Sequence, residues 1–374
     1  MNMNLKDVAQ SRLISQQLRG SKIQSVKDLV HWMGAMQAQD YAMAKWAIGV
    51  RLPGSTQLGV DEAIDKGEII RTHVLRPTWH FVSADDIHWM LELSAGRIRS
   101  VAKPYLKELE LSDKILSKCN TILETILSGN KHLTREEIMA ELARSGIPTD
   151  KNRSSMILMQ AELDRLICSG AAKGNKQTYA LLHERVPKAT VITKDEALAK
   201  LASRYFESHY PATVQDFTWW SGLSASDARH ALEMIKNDLI SETIGSQTFW
   251  APASFIAPEK YRQPSVFMLP AFDEFLISYA DRKASLNQNS YKRYASKNGL
   301  FRPVIVVNGQ VTGLWKRGIK KNMVLIEADL FKPHGKGLKN SILRSAKTFG
   351  HFLGLKQELI FGPEAAELMQ STHG

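Results

Sequence analysis

Met36-Gln37-Ala38-Gln39-Asp40-Tyr41 sits where an amphipathic helix runs out. Upstream, Val26, Leu29, Val30, Met33 and Met36 recur at helical spacing behind Ser25, which stands in the N-cap position. Two glutamines then flank one small apolar residue. On a helix, positions i and i+2 lie about 200° apart, so both side chains reach one pocket only if the chain has left the helix. A primary amide donates, accepts and does not titrate near neutrality. Such a pair can orient a water or read the edge of a nucleobase, and it cannot act as a general base. On spacing alone the other reading stays open, that of helix-end polar residues satisfied by backbone or solvent.

Working outward, a short helix is expected from Val60 to Lys66, stopping at Gly67, and Thr72 to Val82 reads as a hairpin limited by Pro77. Ser83-Ala84-Asp85-Asp86 should cap a long helix through Trp89, Leu93 and Ile98. Helices followed by a hairpin are the parts of a winged helix, and the order recurs twice. Lys114 to Leu127, a helix opened by the capping box Thr134-Arg135-Glu136-Glu137, a helix from Ser154 to Ser169 and a hairpin from Gly170 to Leu182 make one copy. Asp195 to His209, Thr213 to Trp219, Ala225 to Lys236 and a hairpin near Ile240 to Trp250 make another. The expected fold is α+β and mainly helical, with three tandem winged helices over 1–110, 111–190 and 191–262. After the Pro-rich stretch Pro252 to Pro264, residues 263–374 read as a basic, β-rich, barrel-like domain with one helix, Leu338 to Leu353. Within it Asn308-Gly309 is a type I′ hairpin signal.

The chain has 374 residues, 44% of them apolar, which suits several globular domains. Its longest apolar runs are strand-sized, so no membrane span is expected, and a polar N-terminus argues for a cytoplasmic protein. Cys119 and Cys168 read as core residues within helices rather than as a disulfide or metal framework. No phosphate-loop, dinucleotide or zinc pattern is present, so neither a nucleotide cofactor nor a metal is expected. The net charge is +11, and residues 281–350 carry fifteen Lys and Arg against three acids. That basic excess points to a phosphate backbone as the partner, and winged helices would make it double-stranded DNA. Structured RNA, or a solvated basic face without a ligand, are the alternatives.

Several constellations carry two readings each. The adjacent Trp219 and Trp220 suit core packing of a helical unit. Asp273 and Glu274 offer neighbouring carboxylates, as a general base or as caps of a turn. Arg71 and Arg76 flank the first hairpin within reach of phosphates, whereas His80 reads as packed or backbone-bonded.

Gln37-Ala38-Gln39, Arg71 to Val82, Pro211 to Leu223, Leu269 to Arg282 and Val304 to Arg317 together resemble the bacterial winged-helix DNA glycosylases related to AlkZ. The resemblance implies a monofunctional glycosylase without a cofactor, three winged helices curved around DNA and excision of N-alkylated purines, crosslinked ones included. It implies catalysis by Gln37 and Gln39. With the basic segments it nominates Arg71, Arg76, Lys173, Lys176, Arg282, Lys292, Arg293, Lys316 and Arg317 for DNA contact by a monomer. At Pro77 and Trp79 the chain departs from relatives that carry a glycine and an aliphatic residue, a bulk that could reshape the pocket. A non-catalytic DNA-binding regulator is the competing expectation. The geometric expectation is that the helix ends near Met36 and that both amides border one DNA-facing pocket.

Overall fold

The structure is a computed structural model that describes residues 3–187, 190–256, 264–287, 293–294, 301–333 and 335–362. Helix α1, Leu5–Ser15, opens with a capping box on Asn4. Helix α2, Val26–Met33, is capped by the Ser25 side chain, which accepts from the Asp28 amide. It ends three residues earlier than its apolar spacing predicts, because Gly34 takes φ 76°, a left-handed conformation that terminates a helix. Strand β1, Ala35–Gln37, follows, then α3 (Tyr41–Gly49), which the sequence reading did not anticipate, and α4 (Gln57–Asp65). Strands β2 (Ile69–His73) and β3 (Trp79–Ser83) close the unit as an antiparallel sheet in the order β1-β3-β2. Helix α5, Ile87–Glu108, then leads away; Asp86 precedes it without capping it.

The same succession recurs. It comprises α6 (Asp113–Leu127), β4 (Leu133–Thr134), α7 (Arg135–Arg144), α8 (Arg153–Leu163), β5 (Ile167–Ser169) and β6 (Thr178–Leu181), with sheet order β4-β6-β5. The expected Thr134–Glu137 capping box is present. The helix expected to run to Ser169 stops at Leu163, where Arg165 turns the chain at φ 61°, so Cys168 lies on a strand rather than a helix. After the short α9 (Leu182–Arg185), a third succession contains α10 (Lys194–Ser208), α11 (Val214–Ser221), α12 (Ala225–Ile235), β7 (Leu239–Ile244) and β8 (Gln247–Pro252). There a single bridge from Ala212 to Trp250 replaces the short first strand.

The last segment holds β9 (Val266–Leu269), α13 (Glu274–Ile277), β10 (Val304–Val307), β11 (Gln310–Lys320), β12 (Met323–Leu330), α14 (Lys336–Leu353) and β13 (Lys356–Phe361). Its sheet runs β13-β12-β11-β10-β9 and is open among the described residues, where a barrel-like closure was expected. Strand β13, unforeseen in the sequence, pairs in parallel with β12 through the crossover helix α14. Asn308 (φ 50°) and Gly309 (φ 81°) form the expected two-residue turn. Among the described residues no helix is long and apolar enough to cross a membrane.

These segments share cores. One apolar cluster joins Val26 to Phe81 with Met268, Trp315, Phe349 and Phe352. The Trp46 ring lies 4.9 Å from Phe349, and its indole N–H donates to the Met268 carbonyl at 2.8 Å. A second cluster joins Ala35, Ile70 and Val82, on the other face of the first sheet, to α10, α11 and α12. Polar pins cross the same seams. Arg51, fully buried at the end of α3, spends all five guanidinium N–H groups on the Asp273 carboxylate, the Gln16 carbonyl and side chain, and the Ala47 carbonyl. The Asp86 carboxyl, raised by burial but held down by His31 and Arg204, titrates at about 2. His209 is buried against Tyr205 and Trp220, and burial together with Arg51 and Arg12 pushes its pKa well below the ordinary value.

Asp273→Ala leaves a buried guanidinium without its counter-ion and is expected to lower unfolding free energy by about 3–5 kcal/mol, measured by urea denaturation. Asp273→Asn, which keeps an acceptor, should lose less. His209 sets a pH dependence. The unfolded chain binds its proton below about pH 6.5 while the folded chain refuses it, so this stability is present above that pH and lost as pH falls. Urea midpoints at pH 7 and 5.5 should show a loss about 1 kcal/mol smaller in His209→Gln than in the wild type.

Candidate nucleic-acid active site

Gln37 ends β1 opposite His80, and Ala38 extends the pairing by donating to the Trp79 carbonyl at 2.7 Å. The chain is therefore extended at Gln37 and Ala38 and bends at Gln39. Leaving the helix early frees Gln37 and Gln39 from the opposed directions a helix would give them. Gln37 is half-buried and Gln39 exposed, and neither side-chain amide has a hydrogen-bond partner among the described residues. Their backbone, by contrast, is fixed at each step. The Gln37 N–H donates to Glu274 Oε1 at 2.7 Å, the Ala38 carbonyl accepts from Arg71 Nε at 3.0 Å, and Asp40 caps α3 through the Met43 amide.

The first sheet has two distinct faces. Met36, Ile69, Arg71, His73, Trp79 and Phe81 lie towards its own helices; Ala35, Gln37, Ile70, Thr72, His80 and Val82 lie on the other side. The second face meets α10 to α12 and the segment around α13. Trp79, whose bulk was expected to intrude on the pocket, belongs to the first face. Its ring stacks 4.0 Å from His73 and 4.1 Å from the Arg71 guanidinium.

The turn between β2 and β3 packs against Gly222. Leu75 takes φ 62°, and Gly222, itself at φ 68°, presses so close that an added Cβ would stand 2.4 Å from the Leu75 carbonyl oxygen. Only glycine fits that contact. On this turn Arg76 Nε and Nη2, Thr78 Oγ1 and His80 Nε2 are buried without a partner among the described residues, as is Nη2 of Arg282. Arg76 feels the charges of both Glu274 and Arg282. Its pKa is lowered, chiefly by burial. Burial, and then Arg76, likewise keep His80 neutral, with Nδ1 at 2.9 Å from the Thr78 carbonyl. Glu274, 1% exposed, has its pKa raised by burial and accepts a hydrogen bond from the Ser278 hydroxyl on its second oxygen.

The nominated cations divide. Arg76 feels the charges of Arg282 and of Glu274, the carboxylate that accepts from the Gln37 N–H, and Arg317 feels the charge of Asp40 and lies over the Phe349 ring. Arg71 is 9% exposed and its groups are taken up by Ala38, Gln177 and Trp79, so it is an internal support rather than a surface cation. Lys173, Lys176, Arg293 and Lys316 pair with Glu137, Glu136, Asp329 and Glu327. Lys292 lies outside the described residues. The tryptophan pair also divides. Trp220 is core as expected, whereas Trp219 is 48% exposed, with its N–H held by the Ile277 carbonyl and Arg282 5.7 Å from its ring. Sequence reasoning noticed Asp273 and Glu274 but not their partners, which lie 222 and 237 residues away. Asp273 does cap α13, as one of its two readings held.

Among the described residues no cluster of His, Cys, Asp and Glu could hold a metal ion. The arrangement offers two non-titrating amides on a fixed backbone, bordered by cations with free donors. Such a site can orient a water and receive an anion.

Comparison with known proteins identifies the family. The chain is 21% identical to an interstrand DNA cross-link repair glycosylase of Streptomyces sahachiroi, across 78% of this chain and 82% of that protein. Its fold matches the solved structure of Streptomyces sahachiroi DNA glycosylase AlkZ with a TM-score of 0.77 at 18% identity, covering 96% of this chain and all of that one. The model of the family described as DNA glycosylase AlkZ-like matches residues 30–352. A match over that span shows that the chain belongs to the AlkZ-like family of DNA glycosylases.

Proposed function

We propose that this enzyme hydrolyses the N-glycosidic bond of N-alkylated purines in double-stranded DNA, with Gln37 and Gln39 orienting the attacking water. One observation carries the reading: two unpartnered amides project from a backbone fixed at Gln37 N–H, Ala38 N–H and Ala38 carbonyl, beside cations with unused donors. An N7-alkylated purine is cationic, and the electron pair of the breaking C1′–N9 bond neutralises it, so it leaves without being protonated. The protein is left to favour the oxocarbenium-like sugar and to place a water at C1′, whose proton passes to solvent. Amides suit that task because they hold a water at any physiological pH. The relative's role in cross-link repair supports extending the substrate to crosslinked purines.

The threefold recurrence of helix, short strand, helix, helix and hairpin, with the short strand paired to the last, supports reading 1–110, 111–190 and 191–262 as winged helices and 263–374 as a fourth domain. The reading assigns phosphate contacts to Arg76, Arg282 and Arg317 near the motif, and to Lys173, Lys176, Arg293 and Lys316 along the flanks, in a monomer acting in the cytoplasm. A surface cation paired with one acid exchanges it for phosphate at little cost.

Single-turnover release of 7-methylguanine from methylated duplex should fall about 10²–10³-fold in Gln37→Ala and in Gln39→Ala, with duplex affinity within a few-fold of wild type. Undiminished release by the double variant would sink the assignment, and DNA binding without release by the wild type would leave a binding protein. In a salt titration, Arg282→Ala should lower the slope of log K against log salt by about 0.9; an unchanged slope removes Arg282 from the phosphate contacts.

A further inference from the structure

The carboxylate of Glu274 is unusual in its surroundings. Strand β1 is an edge strand, and the Gln37 N–H points away from β3. A buried edge N–H needs a partner, and here a carboxylate takes the place of a further strand. The bond is short at 2.7 Å and charge-assisted. The other oxygen is hydrogen-bonded to the Ser278 hydroxyl, so both oxygens are engaged. The neighbouring Asp273 is clamped by Arg51, which removes the freedom of residue 274 to withdraw. Arg76 supplies a nearby positive charge. At 1% exposure Glu274 cannot itself touch DNA or take a proton from an attacking water.

We propose that Glu274 is the positioning residue of the glutamine motif, fixing the Gln37 main chain and setting a negative charge behind the point where the sugar becomes cationic. The inference rests on the glycosylase reading above. Gln37 is the link: its amide faces the reaction while its N–H is anchored to the charge. A neutral motif thereby gains an electrostatic component that its own side chains lack. Because burial raises the pKa of Glu274, this charge is lost at a higher pH than for an exposed glutamate, and activity falls with it.

The test compares wild type, Glu274→Gln and Glu274→Ala. Glu274→Gln keeps an acceptor for Gln37 and a group for Ser278 while deleting the charge, so it should fold and bind duplex as wild type does. Its single-turnover rate at pH 7 should be lower by about 10- to 100-fold, the range found for groups that orient a reacting group from behind. The wild-type rate should fall on acidification through the Glu274 titration, and the Glu274→Gln rate should stay level there. Rates within twofold of wild type, with parallel pH profiles, overturn the charge role. Hydrogen exchange across residues 34–40 tests the anchor independently of turnover: exchange at Gln37 should rise in Glu274→Ala and not in Glu274→Gln. Unchanged exchange in Glu274→Ala overturns the anchor. Absence of release by the wild type would sink the glycosylase reading instead, leaving exchange to decide this one.

Discussion

The buried pair between Arg51 and Asp273 ties together parts of the chain that have no local reason to meet. Arg51 lies on the turn just past α3, the helix directly downstream of the glutamine motif, and Asp273 caps α13 in the last segment. The pair is bidentate, at 2.8 and 2.7 Å, and both side chains are almost wholly out of solvent. Buried charges cost heavily in desolvation unless every donor is met, and Arg51 meets all five with the help of Gln16 on the turn after α1. Such a pair adds little net stability over a well-packed apolar substitute. Its effect is to admit one arrangement, since any shift strands a charge. That arrangement places residue 274 against β1.

From that fixed point the site follows. Glu274 holds the edge of β1, Arg71 holds Ala38 from the opposite face of the sheet, and β3 holds the remaining amide. The sheet is thus covered on both faces, one by its own helices and one by α10 to α12 with the α13 segment. A sheet of three short strands would be marginal alone. Packed on both sides it becomes a rigid mount for the segment from Gln37 to Gln39.

Much of the fold was legible because it rests on local rules. Ser25, Thr134 and Thr213 cap helices by accepting from amides two or three residues on, and Asn308-Gly309 turns a hairpin because both residues tolerate positive φ. The recurring order of helices and hairpins could be read for the same reason. The misreadings are local too: Met36 continues the apolar spacing of α2, but Gly34 outweighs it, and Cys168 continues that of α8 past the turn at Arg165. Helix α3 escaped notice because it is apolar on nearly every side and has little periodicity to read. Strand β13 escaped because its partner β12 is reached only after α14.

Sequence alone nominated candidate residues and gave the charge of the chain: Gln37 and Gln39 two apart, Arg76 on a short turn, and a basic final segment. It could not determine what those residues face. Arg71 and Arg76 look alike along the chain, yet one lies inside, stacked on Trp79, and the other on the opposite side beside Glu274. Adjacent Trp219 and Trp220 divide in the same way between rim and core. Strand alternation and helix rotation set which way neighbouring side chains point, but only packing across more than two hundred residues decides which direction is buried. The tertiary structure alone placed a carboxylate behind the glutamines, because the contact that holds it there is non-local and leaves no periodicity or spacing in the chain.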